Sequence, residues 1–249
     1  MKFFRETLFI LSLVAICLAC SSGEEKTSER MWAGHLIDLK HIVNERDSFI
    51  VINSKDEKIG GMIWDKTIAN DKYIHRDISY FDDGSVYEKA SFFYNLNPIS
   101  IDSIQIAMQM PTAALDINYG IDGKKVKGTY VISRDSTERL IHLDSLYTHD
   151  ILRPEIYSFI HSLNFDSVTQ FPIKVFSPEG MSVANAEITH LGREMVDEGY
   201  GKFNCIKVEL KGGGIIPDNI IWISENPRRI VRVYVPGPEL NIVLVRSNN

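Results

Sequence analysis

From residue 49 to the C-terminus, apolar side chains return at every second position in short runs, and turn-forming residues separate the runs. A strand sends alternate side chains to opposite faces, so this period marks half-buried β structure. The runs at residues 49–54, 59–68, 73–81 and 85–94 are rich in β-branched and aromatic residues. Asp82-Asp83-Gly84, between the last two, is a tight-turn sequence in which Gly84 can take positive φ. Residues 101–110 alternate most regularly, with Ile104, Ile106, Met108 and Met110 on one face and Ser103, Gln105, Ala107 and Gln109 on the other. Leu115, Ile117 and Tyr119 extend the pattern to a turn at Gly120-Ile121-Asp122-Gly123, which leads into a strand at 126–133 and predicts a hairpin. Strands resume at 171–176, 182–195, 200–210, 219–224, 229–235 and 240–245. Within 200–210, Ile206, Val208 and Leu210 take the core-facing parity, while Phe203, Cys205, Lys207 and Glu209 take the other.

Helical spacing occurs in two places. Pro154 precedes residues 155–163, where Ile156, Phe159, Ile160 and Leu163 share one face, which predicts a helix packed on the sheet. Leu36, Leu39, Ile42 and Val43 predict a second helix over 31–44. Residues 135–154 lose the alternation and read as a crossing connection. The fold class is therefore mainly β: an antiparallel curved sheet or half-barrel with one or two packing helices. The helix at 155–163 marks a seam, near 150–165, between two β halves of one domain spanning 31–249.

The N-terminus has a different pattern. Lys2 and Arg5 precede an apolar run from Leu8 to Ala19, and Cys20 follows at once, which is the layout of an export signal. A run of roughly 12 residues covers about 18 Å of a bilayer core about 30 Å thick, too little for a permanent span. Leu18-Ala19-Cys20 resembles the box that ends bacterial lipoprotein signals, although Cys17 stands where leucine is usual. The expected outcome is cleavage after residue 19 and acylation of Cys20, which ties the chain to a membrane surface. Residues 20–30 are polar and form a tether. Glu24 and Glu25 in it resemble the acidic export tags of some Bacteroidetes lipoproteins, and serve equally well as solvated linker charges. Loss of residues 1–19 removes Lys2, Arg5 and Glu6, so a formal charge of −6 becomes −7 and nucleic-acid binding is disfavoured. With Cys17 cleaved and Cys20 acylated, Cys205 has no partner for an intramolecular disulfide, and the fold must stand on its core.

Chemistry-bearing patterns are sparse. His142, Asp144, His149 and Asp150 are the one histidine–carboxylate cluster, and in an exposed connection they read as solvated side chains, so no metal is expected. No G-x-S-x-G elbow occurs. Cys205 reads as a buried, inert thiol. Gly212-Gly213-Gly214 lacks the Lys-Ser or Lys-Thr that a phosphate loop requires, and Lys124-Lys125-Val126-Lys127 is a basic turn beside Asp122. A curved sheet does offer a concave apolar face. Trp64, Phe92, Tyr94, Met108, Met110, Tyr119, Tyr130 and Trp222 are the residues that would line it for an apolar or lipid-like ligand, or would simply fill the core.

The C-terminal third carries a more specific progression. Gly192, Glu194 and Val196 are followed by Gly201, Phe203, Lys207 and Val208, and then by Trp222, Ser224 and Arg229. This order resembles the bacterial domain-of-unknown-function 3108 family, with its G-x-E-x-V, G-x-F-x-x-x-K-V and W-x-S-x-D-x-x-R pieces. Glu225 and Asn226 match the acidic position of the last piece inexactly. The resemblance is sharp from about 155 to 245, and implies an envelope-associated β domain akin to lipoprotein carriers, with no established reaction. Residue by residue, the matches also have structural readings: Gly192 and Gly201 as backbone punctuation, Trp222 as a core anchor, Glu194 and Arg229 as paired surface charges. The expectation is a non-catalytic, cofactor-free lipoprotein of the outer membrane that binds an apolar small molecule or lipid. The alternative is an envelope scaffold for a protein partner.

Overall fold

The computed structural model describes residues 29–248 apart from 123–124, 136, 147–148, 167–168, 178–181, 199–200 and 215. The expected signal peptide, Cys20 and most of the tether lie outside the described residues.

The chain enters through a two-stranded ribbon, β1 (Glu29–Trp32) and β2 (His35–Asp38). An ascending meander follows: β3 (Glu45–Ile52), β4 (Lys58–Ala69), β5 (Lys72–Phe81), β6 (Tyr87–Leu96), β7 (Ile99–Met110), β8 (Ala113–Asp122), β9 (Lys125–Arg134) and β10 (Thr137–Leu146). Next come the short β11 (Ile151–Leu152), a 3-10 turn (Arg153–Glu155) and one helix, α1 (Ile156–Ser162). A second meander closes the chain: β12 (Gln170–Ser177), β13 (Ser182–Glu198), β14 (Gly201–Lys211), β15 (Asn219–Glu225), β16 (Arg228–Val235) and β17 (Leu240–Asn248). The last strand, β17, pairs antiparallel with β3, so the two meanders form one 15-stranded sheet with β10 and β11 at its ends. Among the described strands, β11 and β12 are the one parallel pair.

Open sheets of this width curl, because each strand is rotated against its neighbour. Bulges sharpen the bend, and the register shifts at Phe93/Tyr94, His190/Gly192, Trp222/Ile223 and Leu244/Arg246 are such points. The shift at Phe93/Tyr94 lets Ile101 and Ile104 both reach the core although they lie an odd three positions apart. Close approach explains Gly60 and Gly128, where a Cβ would collide with the carbonyl oxygens of Tyr80 and Asn118.

The sheet curls around α1. Ile156, Phe159 and Ile160 of the helix, with Leu163 just beyond it, are buried in one apolar cluster with Phe92, Ile104 and Ile117 of the first meander and Ile188, Val208 and Leu244 of the second. Trp32 of the ribbon completes the plug, its ring edge-on to Tyr94 at 5.5 Å and to Phe159 at 5.3 Å. Each such side chain contributes about 1.5–3 kcal/mol when fully buried.

The helix expected at 31–44 is the ribbon instead. Ala33 and Gly34 turn it with φ of 52° and 79°, and Trp32 and Ile37, rather than the helical face, enter the core. Asp38 then accepts a bond from the Lys40 amide to start a single 3-10 turn. Residues 137–146 of the expected connection form the edge strand β10. Cys205 is buried, in a small cluster with Val196, Trp222 and Val231 on the outer face. Burial, and secondarily Glu194, push its thiol up to about 12. Glu194 does not meet Arg229. It accepts from Trp222 Nε1 at 2.5 Å and pairs with Lys207, while Arg229 is buried beside Asp47.

Candidate functional site

The concave side is filled. Trp64, Phe92, Tyr94, Tyr119 and Tyr130 are buried there in one cluster, and Met108 packs against it half-buried. Met110 stands apart, exposed at the β7–β8 turn beside a shallow depression of about 500 Å³. Trp222 is on the opposite face, between Lys207 and Arg232 at 5.3 and 5.0 Å from its ring. His142 and Asp144 are exposed on β10, whereas His149 is buried and stacked on Phe176 at 4.8 Å. Among the described residues no three His, Cys, Asp or Glu side chains could hold a metal.

Within the apolar interior lies a set of charged and polar groups. Glu45 and Asp47 share the β3 face of Phe49 and Val51; Lys66 shares the β4 face of Met62 and Trp64; His75 follows Tyr73 on β5. Glu45 and Lys66 form a buried ion pair, and Arg229 Nη1 lies 3.9 Å from Asp47 Oδ1. Ser158 of α1 bonds to His75 Nδ1 at 2.5 Å and to the Tyr73 hydroxyl. Burial, helped by the Lys66 charge, holds His75 down to about 3, so the ring is neutral. A serine bonded to a neutral imidazole is half of a nucleophile–base pair. Here both members are sealed between helix and sheet, with Ser158 4% and His75 1% exposed, and their effect is to fix α1 against β5.

Beside this network, where α1 meets the junction of the two meanders, a cleft of about 230 Å³ opens. Its apolar wall is Met62, Ile156, Ile216, Val235 and Ile242. Its polar side is Asp77 and Ser79 of β5, Glu88 of β6, Arg153 before the helix, Tyr157 of α1, and Asn219 at the start of β15. Asp77 accepts from Ser79 Oγ at 2.9 Å and from the Trp64 indole. Burial nevertheless drives its carboxyl up to about 7, against the effect of those bonds, with Glu88 adding to the rise. Arg153 lies 3.8 Å from Glu88. Asn219 donates Nδ2 to the Pro217 carbonyl at 2.9 Å, and its buried Oδ1 accepts no hydrogen bond. An unsatisfied buried acceptor costs about 1–3 kcal/mol, so its presence in a cleft lining marks a place for a donor.

Two other depressions are lined mainly by charged side chains. One of about 370 Å³ lies between Lys40–Glu45 and Glu225–Arg229, and a neighbouring one lies around Arg193. Their charges are matched: Arg193 binds Asp166 and Glu225, Lys40 pairs with Asp38, and Arg228 donates to the carbonyls of His161 and Leu163.

Strand parity alone identifies Lys66, His75 and Asp77 as polar residues on core-facing positions. Apart from Asp77 and Ser79 of β5, the cleft's members come from β4, β6, the 3-10 turn, α1, the loop before β15, β15, β16 and β17, and no local pattern joins them.

The arrangement is that of a β-barrel-like fold with a small amphipathic cleft. Such a fold is known in the crystal structure of a β-barrel-like protein of domain of unknown function DUF1849 from Brucella abortus, which is 10% identical and superimposes with a TM-score of 0.56 over 83% of this chain and 98% of that one. A candidate lipoprotein of Parabacteroides distasonis (11% identity, TM-score 0.29, 82% of this chain and 95% of that one) is more distant in shape. So is a candidate exported protein with a YmcC-like fold from Bacteroides fragilis (9%, 0.27, 83% and 96%). No family model and no curated protein matches the chain, so similarity to the 3108 family rests on the motifs alone.

Proposed function

We propose that the chain is an exported lipoprotein, held at the outer membrane by acylated Cys20, that binds a small, largely apolar molecule in the cleft between α1 and the meander junction without transforming it. The observation that carries this reading is Asn219 Oδ1, buried and without a donor in a cleft whose other wall is hydrocarbon. The cleft's volume equals that of roughly eight waters at about 30 Å³ each, which suits a compact molecule or the end of a chain rather than a whole lipid. The motif progression from Gly192 to Arg229 adds kinship with the 3108 family to the proposal.

Native mass spectrometry on the full chain purified from membranes tests it. Wild type is expected to carry acyl mass on Cys20 and a small adduct, with Cys20→Ser losing the first and Asn219→Leu the second. An unacylated mature chain would remove the anchor. A bare protein, with no stabilisation by any small amphipathic compound, would remove the binding role.

One feature favours a scaffold as the second reading: β10 pairs only with β9, so among the described residues its outer edge has no partner strand. Edges of this kind accept strands from other proteins. Crosslinking from residue 140 in intact cells would capture such a partner.

A further inference from the structure

We infer that the cleft recognises a small organic cation, an ammonium head on a short hydrocarbon body, through Asp77, Ser79, Glu88 and Asn219. This rests on the binding reading above. The polar side of the cleft is rich in acceptors, and besides Asn219 and Ser79 its donors are Arg153 and the Tyr157 hydroxyl, which can also accept. Asn219 has already used its Nδ2 on Pro217, leaving Oδ1 as a buried acceptor without a donor. Asp77 takes bonds from Ser79 and Trp64, and a carboxylate has about four lone-pair sites, so two remain. The cationic group in the lining, Arg153, sits toward solvent at 32% side-chain exposure and faces Glu88, which is 13% exposed. An ammonium group supplies three donors and no acceptor, which is the complement of this surface. A carboxylate or phosphate would meet two acidic side chains and the Asn219 oxygen, with an arginine already opposed by Glu88. The hydrocarbon body has Met62, Ile156, Ile216, Val235 and Ile242 to lie against.

The groups facing Asp77 are Glu88 of β6, Arg153 of the turn and Tyr157 of α1, whose hydroxyl burial pushes up to about 12. With Tyr157 neutral in this range, Asp77 is a cleft carboxyl that ionises near neutrality. A cation binds the ionised form, so binding below pH 7 expels one proton. Affinity should then rise about tenfold per pH unit up to pH 7 and level off above it.

The test uses the detergent-solubilised full chain and three probes of one size: n-butylammonium, butan-1-ol and butyrate. Calorimetric titration at pH 8 is expected to give at least about tenfold preference for the amine over either other probe. The preference should disappear in Asp77→Asn, and Glu88→Gln, which removes the negative charge facing Arg153, should weaken amine binding several-fold. Thermal denaturation confirms that both variants fold. Equal binding of alcohol and amine, unchanged in Asp77→Asn, would overturn the cation inference and keep the binding reading. Preference for butyrate would overturn it in favour of Arg153. If none of the probes bound and no adduct copurified, the binding reading itself would fall.

Discussion

Buried charge controls the behaviour of single residues in this protein. Lys66 and Glu45 are both sealed in the interior, and removing one partner strands the other. Lys66→Met is therefore expected to cost about 3–5 kcal/mol in urea denaturation, and adding Glu45→Leu to restore much of the loss. If the double variant were no more stable than the single one, the pair would not be acting as a unit. Asp77 carries a different signature. Its folded carboxyl titrates near 7 against an ordinary value of 3.8, so the folded state holds a proton that the unfolded state has released between those values. The stability it contributes is complete below pH 4 and lost as pH rises through 7. Asp77→Asn should match wild type in acid and exceed it at pH 8, by up to about 4 kcal/mol. Melting temperatures measured across that range check this, and a constant gap between the two proteins would contradict it.

Elements were legible where one face is buried and the other wet. In β7, β12 and β14 the alternation gave strand and face together, because Ile106, Ile173 and Val208 turn to the core while Gln105, Lys174 and Lys207 do not. It failed at β10, an edge strand with Glu138, Leu140, His142 and Asp144 exposed and, among its described side chains, Ile141 and Leu143 half-buried, so no apolar face stands out. Charges on such an edge also discourage indiscriminate pairing. The ribbon misled for the opposite reason: Leu36, Leu39 and Ile42 fall at helical spacing, but two successive left-handed residues at Ala33 and Gly34 dictate a turn. Helix α1 was legible because four apolar residues share a stripe, and it is also the element on which the interior depends. Phe159→Ala is expected to cost about 3–5 kcal/mol by emptying the contact with Trp32 and His35, measured by chemical denaturation. A loss under 1 kcal/mol would mean that the ribbon collapses into the gap.

At the scale of the whole molecule, one seam joins the two meanders within the sheet, the ladder between β3 and β17. Val243, paired with Ile50 on one side and Arg232 on the other, sits in its middle. Val243→Pro removes a donor from a central strand, at about 3 kcal/mol or more, and should release both meanders together in hydrogen exchange. Protection surviving in β12–β16 alone would show that the halves are stable apart. The site was less legible than the fold because it is assembled across that seam: Asp77 and Asn219 are 142 positions apart in the chain and meet only when the sheet curls. The entry ribbon belongs to no part of this sheet, yet it stoppers the interior with Trp32 and Ile37. Force arriving along the N-terminal segment therefore loads the stopper first. Drawn out like a cork, the ribbon would uncover Tyr94 and Phe159 while all fifteen strands of the wall stayed zipped, so traction from that end becomes a change of interior access before it becomes unfolding.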